Sequence, residues 1–171
     1  MRIRLDVSYV GTRFIGWQRQ PKGPTVQETL EKILERIYGD RVVVTGAGRT
    51  DSGVHAGGQV AHFDTAKERP TPDQIHIVLN KLLPPDISVV RSRRVPANFH
   101  ARKSAVCRTY QYRILTSPIP DPFRAERVWH YPRASKADLG KMRKAARDWI
   151  GRKDFSKFAI RVSEGESTWR N

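Results

Sequence analysis

Residues 46–56 read Gly46-Ala47-Gly48-Arg49-Thr50-Asp51-Ser52-Gly53-Val54-His55-Ala56, and this run leaves the chain little freedom. It lies between two stretches that read as strands, Arg41 to Thr45 before it and Gly57-Gly58-Gln59-Val60-Ala61-His62-Phe63 after it. Glycine admits backbone conformations that other residues resist. A strand, a glycine-flanked turn and a second strand present Asp51 at the edge of a sheet, with one cation, Arg49, two residues back.

On local grounds Asp51 has two readings. It caps the turn or pairs with Arg49, a common structural arrangement. Alternatively it is a nucleophile or base that Arg49 keeps ionised, which suits a nucleophile better than a proton donor. Spacing does not decide between them. The glycines match neither a P-loop, since no Gly-Lys-Ser/Thr follows, nor the dinucleotide fingerprint, whose later glycine falls on Asp51. No nucleotide cofactor is therefore expected. His55 and His62 have no partner ligands nearby, so no metal site is expected. His55 reads as ordering the turn, and His62 as a packed or surface residue of its strand.

Lys and Arg number 32 against 17 Asp and Glu, a formal net charge of +15. Such an excess concentrates polyanions at the surface and points to nucleic acid or an acidic membrane face. The plainer alternative is a generally basic soluble surface. The one cysteine, Cys107, can form neither an intrachain disulfide nor a cysteine zinc site, and fits a reducing compartment. The N-terminus has no apolar signal core, and no apolar run approaches the ~20 residues of a membrane span. A cytoplasmic protein without membrane contact is expected.

Along the chain, Ile3, Leu5, Val7 and Tyr9 alternate with Arg4, Asp6 and Ser8, the period of a half-buried strand. Residues 10–24 read as a loop pinned to the core by Phe14, Ile15 and Trp17. Thr25 to Glu28 form a capping box, and Val26, Leu30, Ile33, Leu34 and Ile37 mark one helix face that Gly39 ends. A second helix is expected from Thr71 with Ile75, Val78, Leu79 and Leu82 inward. Ile87 to Val95 reads as a strand, and Lys103 to Thr116 as a long one. A turn-rich joint at 117–125, a short strand at 127–131 and a helix capped by Ser135 and closed by Gly151 follow. The order β-α-β-β-α-β predicts an α+β fold of the split β-α-β kind, an antiparallel sheet backed by helices in ferredoxin-like (RRM-like) subdomains. Two subdomains are expected, 1–103 with the Asp51 loop and 104–171.

A second constellation is Cys107-Arg108-Thr109-Tyr110-Gln111-Tyr112-Arg113. On a strand, Arg108, Tyr110 and Tyr112 share a face, where rings stack bases and a guanidinium meets phosphate. Core tyrosines under an arginine stem explain the same pattern equally well. Phe99-His100-Ala101-Arg102-Lys103 is either a basic lip on that cleft or a solvated turn.

Gly46 to Ala56 resembles the signature of the TruA family of tRNA pseudouridine synthases. Tyr9-Val10-Gly11-Thr12-Arg13-Phe14-Ile15-Gly16-Trp17-Gln18 resembles the family's first loop and Thr25-Val26-Gln27 the start of its first helix, and Leu79-Asn80-Lys81-Leu82-Leu83-Pro84, Phe99-His100-Ala101-Arg102, Arg108-Thr109-Tyr110-Gln111-Tyr112 and Asp154-Phe155-Ser156-Lys157-Phe158 resemble later blocks, in family order. The resemblance implies the pseudouridine synthase fold. It implies isomerisation of uridine to pseudouridine at positions 38, 39 and 40 of the tRNA anticodon stem-loop. It also implies no cofactor or metal, and a homodimer holding tRNA on basic surfaces. Carried over by motif, Asp51 is the catalytic aspartate, Arg49 keeps it charged and assists base extrusion, and Tyr110 stacks on the target uracil. Arg108, Tyr112, His55 and Arg102 are expected to bind substrate. Ser52 stands where the family commonly has Ala. The family's C-terminal segment supplies a basic partner to the aspartate, and nothing in residues 1–171 fills that role. A truncated chain, inactive alone, is therefore expected. Without the resemblance, the competing readings are a non-catalytic RNA-binding module and a basic protein of the ribosome type.

Overall fold

A computed structural model describes residues 1–136, 138–159 and 167–170. The chain divides into two compact units, Met1–Gln111 and Tyr112–Asn171.

The first unit is a four-stranded antiparallel sheet with two helices. Its strands are β1 (Arg2–Tyr9), β2 (Thr45–Gly46), β3 (Ala56–Asp64) and β4 (Ile87–Val95), and its helices are α1 (Val26–Tyr38) and α2 (Ile75–Asn80). Across the sheet the order is β2-β3-β1-β4. Strand β1 pairs antiparallel with β3 and with β4, so the N-terminal strand is central, as its strict alternation requires. Ile3, Leu5, Val7 and Tyr9 turn to the core, while Arg2, Arg4, Asp6 and Ser8 are half-exposed on the other face. The core face of the sheet closes against Val26, Leu30, Ile33 and Leu34 of α1 and Ile75 and Leu79 of α2. Among the described residues no helix is long and apolar enough to cross a membrane.

Helix α1 begins and ends where its sequence indicates. The Thr25 hydroxyl accepts the Glu28 amide at 3.3 Å, and Gly39 closes the helix in the left-handed conformation at φ 73°. The Glu28 carboxylate pairs with Lys32 instead of reaching back to the cap. Helix α2 is shorter than expected. It starts at Ile75, not Thr71, because residues 71–74 first close a turn, with the Gln74 and Ile75 amides both donating to the Thr71 carbonyl. The expected strand from Arg41 is also shorter, and only Thr45 and Gly46 join the sheet. Val42 and Val44 are buried, but the backbone of Val44 bonds to helix side chains. Its amide donates to Glu31 Oε1 at 2.9 Å, and its carbonyl accepts from Gln27 Nε2 at 2.9 Å.

The long strand expected over Lys103–Thr116 is the largest correction. Residues 105–113 have no regular structure, and β5 is only Ile114–Leu115. A strand needs a neighbour for its amides and carbonyls. Among the described residues that neighbour reaches only 114–115, as β6 (Trp129–His130), in parallel register. In the second unit, α3 spans Leu139–Arg147. It is capped by Asp138, whose carboxylate accepts the Lys141 amide at 3.0 Å, and not by Ser135, since residues 132–136 form a short 3-10 turn ahead of it. Strands β7 (Lys153–Asp154) and β8 (Trp169–Arg170) pair antiparallel. Trp149, Phe155 and Phe158 cluster after α3.

Tyr38, the last residue of α1, has its ring 5.9 Å from that of Phe63. Its hydroxyl is buried with no hydrogen-bond partner among the described residues, and burial pushes its pKa up to about 12. An unpaired buried hydroxyl costs more than it contributes. Tyr38→Phe should leave stability unchanged or raise it by ~1 kcal/mol in urea denaturation. A loss of that size would show that the hydroxyl is bonded.

Candidate functional site: the Asp51 loop

The loop from Ala47 to His55 is shaped by contacts with a second loop, residues 10–17. The packing is close enough to dictate residue type. A Cβ on Gly11 would lie 2.0 Å from the Val54 carbonyl oxygen, and one on Gly16 would lie 2.7 Å from that of Thr50. Gly16 also sits at φ 113°, where side-chain-bearing residues are strained. Trp17, 2% exposed, lies against Gly46, where a Cβ would come within 2.6 Å of the indole. Backbone bonds stitch the loops together. The Trp17 amide donates to the Thr50 carbonyl at 3.0 Å, and the Gly53 amide donates to that of Phe14 at 3.2 Å. Of the three residues expected to pin the first loop to the core, Phe14 and Trp17 are buried in it, while Ile15 is only half-buried.

Further bonds fix both ends of the Asp51 loop. The Ala47 amide donates to the Val60 carbonyl at 2.7 Å, and Gln59 Nε2 donates to that of Gly48 at 2.6 Å. The Tyr9 hydroxyl lies 2.8 Å from Thr50 Oγ1. His55 orders the turn as read from sequence, with Nδ1 accepting the Gly11 amide at 2.9 Å. The Val54 amide closes back on the Asp51 carbonyl at 3.2 Å. At the centre, Asp51 is exposed. An ion pair with Arg49, also exposed, was one of the readings the sequence left open, and it is not formed. Among the described residues neither side chain makes a hydrogen bond or ion pair. The structure thus holds the backbone on both sides of Asp51 and leaves its carboxylate uncommitted.

Arg108 reaches this loop from the far side of the sequence. Its guanidinium donates to the Ala47 carbonyl at 2.8 Å and to the Arg102 carbonyl at 3.2 Å, and its Nε would lie 3.5 Å from a Cβ on Gly48. Sequence reasoning placed Arg108 on a strand face beside Tyr110 and Tyr112. Instead it clamps two segments of main chain. Tyr110 is 70% exposed and Tyr112 93% exposed, on backbone that is not a strand. Arg102 belongs to a turn ordered by two histidines. His100 Nδ1 accepts the Arg102 amide at 3.2 Å, and the buried His62 accepts the Ala101 amide at the same distance. Sequence reasoning missed Tyr9, Thr50, Gln59 and Gly11 as supports of the site. The one signal available was the spacing of two glycines and three aromatic residues over 9–17.

The His62 contact is sensitive to pH. Burial, then the Arg2 and His100 charges, depress its pKa, while Asp64 opposes them. A base whose folded pKa lies below its unfolded value contributes stability above the unfolded pKa, ~6.5, and loses it as pH falls. Thermal unfolding of the wild type should therefore shift to lower temperature between pH 7.5 and 5.5, with a flatter profile in His62→Gln. Parallel profiles would show that His62 plays no part.

Residues 7–102 match the family description of tRNA pseudouridine synthase. The chain is 49% identical over 168 residues to "tRNA pseudouridine synthase A" of Chromobacterium violaceum, covering 98% of this chain and 63% of that protein. It is 48% identical to the same-named protein of Pseudomonas aeruginosa, covering 92% of this chain and 54% of that one. For that of Halalkalibacterium halodurans the identity is 46%, with 99% and 64% covered. The chain thus spans between about half and two-thirds of the length of these relatives. The matched region holds the Asp51 loop, the loop that clasps it and the sheet that carries both, and on this evidence the chain belongs to the tRNA pseudouridine synthase family.

Proposed function

We propose that the protein containing this chain isomerises uridine to pseudouridine in tRNA, at positions 38, 39 and 40 of the anticodon stem-loop, with Asp51 as the catalytic residue. The observation that carries the proposal is the uncommitted, solvent-facing carboxylate of Asp51 on a backbone bonded on both sides. The reaction is redox-neutral. The C1′–N1 bond breaks, the uracil turns, a C1′–C5 bond forms, the C5 proton leaves to solvent and N1 takes a proton. Its balance calls for no co-reactant, so neither cofactor nor metal is included in the proposal. Asp51 attacks at the sugar or at the base, and both routes need an ionised carboxylate held still against an extruded nucleotide.

Extrusion costs a few kcal/mol, less in a loop than in a duplex, and an aromatic platform offsets part of it. Tyr110 is assigned that platform; its exposed ring supports the assignment. Arg49, exposed two residues before Asp51, is assigned to keeping that carboxylate charged and to assisting extrusion of the base. Arg108, His55 and Arg102 are assigned to the pocket wall, where their main-chain contacts support the shape of the site; Tyr112 is assigned to RNA contact. The net charge of +15 supports tRNA as partner, through phosphate contacts that weaken with salt. The strand order β2-β3-β1-β4 supports reading the first unit as a ferredoxin-like subdomain. Residues 1–103 are proposed as the subdomain carrying the catalytic loop, with 104–171 belonging to a second. A homodimer acting in the cytoplasm completes the proposal.

Asp51→Ala in the full-length protein tests it. Pseudouridine formation in a tRNA transcript should fall at least ~10³-fold with RNA affinity within about threefold of wild type. Unchanged activity would contradict the proposal and favour a non-catalytic RNA-binding module.

A further inference from the structure

Tyr9 ends β1 opposite Ala56 of β3 and Ile87 of β4, next to an irregularity in the β1–β3 pairing. Its ring is 4% exposed and lies 5.9 Å from that of Trp17. A buried phenol needs a partner for its hydroxyl. Here the partner is the Thr50 hydroxyl at 2.8 Å, on the residue directly before Asp51. Burial raises the Tyr9 pKa, while bonds to Thr50 and to Gln59 oppose that rise. The same Gln59 donates to the Gly48 carbonyl, and the Thr50 carbonyl accepts the Trp17 amide. Two part-buried bonds, Tyr9 to Thr50 and Gln59 to Gly48, therefore tie the sheet to the residues on the N-terminal side of Asp51. The Asp51 side chain has no bond of its own among the described residues, so its position is set by its backbone, and Thr50 is the nearest point at which the core grips that backbone.

We propose that Tyr9 is a positioning residue for Asp51: its hydroxyl, through Thr50, fixes the peptide that carries the carboxylate, without touching RNA. The catalytic consequence rests on the function proposed above; the positioning itself does not. Loss of the hydroxyl should slow the chemical step and leave substrate binding intact. Misplacing a reacting group by about 1 Å can cost ~10²-fold in rate.

In the full-length protein, Tyr9→Phe keeps the ring and removes the bond. It should lower kcat for pseudouridine formation by ~10–100-fold, with KM within about twofold. Thr50→Val should do the same, Thr50→Ser should restore most of that loss, and Tyr9→Phe with Thr50→Val should be no worse than either alone, as expected for one shared interaction. Native-state hydrogen exchange gives a readout independent of activity. In Tyr9→Phe the amides of Trp17, Gly53 and Val54 should exchange at least ~10-fold faster, with those of β1 unchanged. Wild-type kcat, additive losses or unaltered exchange in these three amides would overturn the proposal. Should Asp51→Asn match the wild type, the functional reading fails, and exchange alone then decides whether Tyr9 holds the loop.

Discussion

The contact on which the site depends is between two stretches of main chain. The Gly11 and Gly16 positions press against the carbonyls of Val54 and Thr50 at distances no side chain could share. At that separation main-chain groups of the two loops pair directly, the Trp17 amide with the Thr50 carbonyl and the Gly53 amide with the Phe14 carbonyl. Buried backbone groups cannot be left unpaired, so the approach and the bonding require each other. The outcome is a loop bonded to its neighbour on both sides of Asp51, whose carboxylate makes none of those bonds among the described residues.

The core supplies that contact from below. Trp17 rests on Gly46, and Tyr9, Gln27, Glu31 and Gln59 take polar groups into the interior to meet main-chain or loop partners. Glu31 shows the cost. At 3% exposure it is a charged group in an apolar core, and it is tolerated because Arg19 pairs with it while Gln27 and the Val44 amide bond to its other oxygen. Such a carboxylate is neutral at best for stability unless every lone pair is met. In return it joins the first loop, α1 and the lead-in to β2, the three segments that together set where residue 46 begins the Asp51 loop.

This division explains what could be read from the sequence. The alternation of 3–9, the stripe of α1 and the Thr25 and Gly39 boundaries are local signals, and the structure follows them. The Gly46–Ala56 run announced Asp51 because glycines and a carboxylate in one turn are a local signal too. The long strand over 103–116 was expected without a partner in view, and strands exist only in pairs. Whether Asp51 pairs with Arg49 was left open by spacing, which fixes how near two residues can come but not how the turn aims them. Arg108 and Tyr9 were legible as residue types, yet their partners lie 61 and 41 positions away in the chain, and no periodicity carries that information.

If the two loops are one rigid body, the wild-type protein should show it without any substrate. The measurement is native-state hydrogen exchange at the amides of Gly11, Trp17, Gly53 and Val54, compared with those of Leu5 and Phe63 in the sheet. The account predicts opening free energies for the loop amides within about 1 kcal/mol of those in the sheet, because the loops can part only when the core does. Exchange at rates typical of an exposed loop would contradict it and would leave Asp51 on a segment that must be ordered by its substrate.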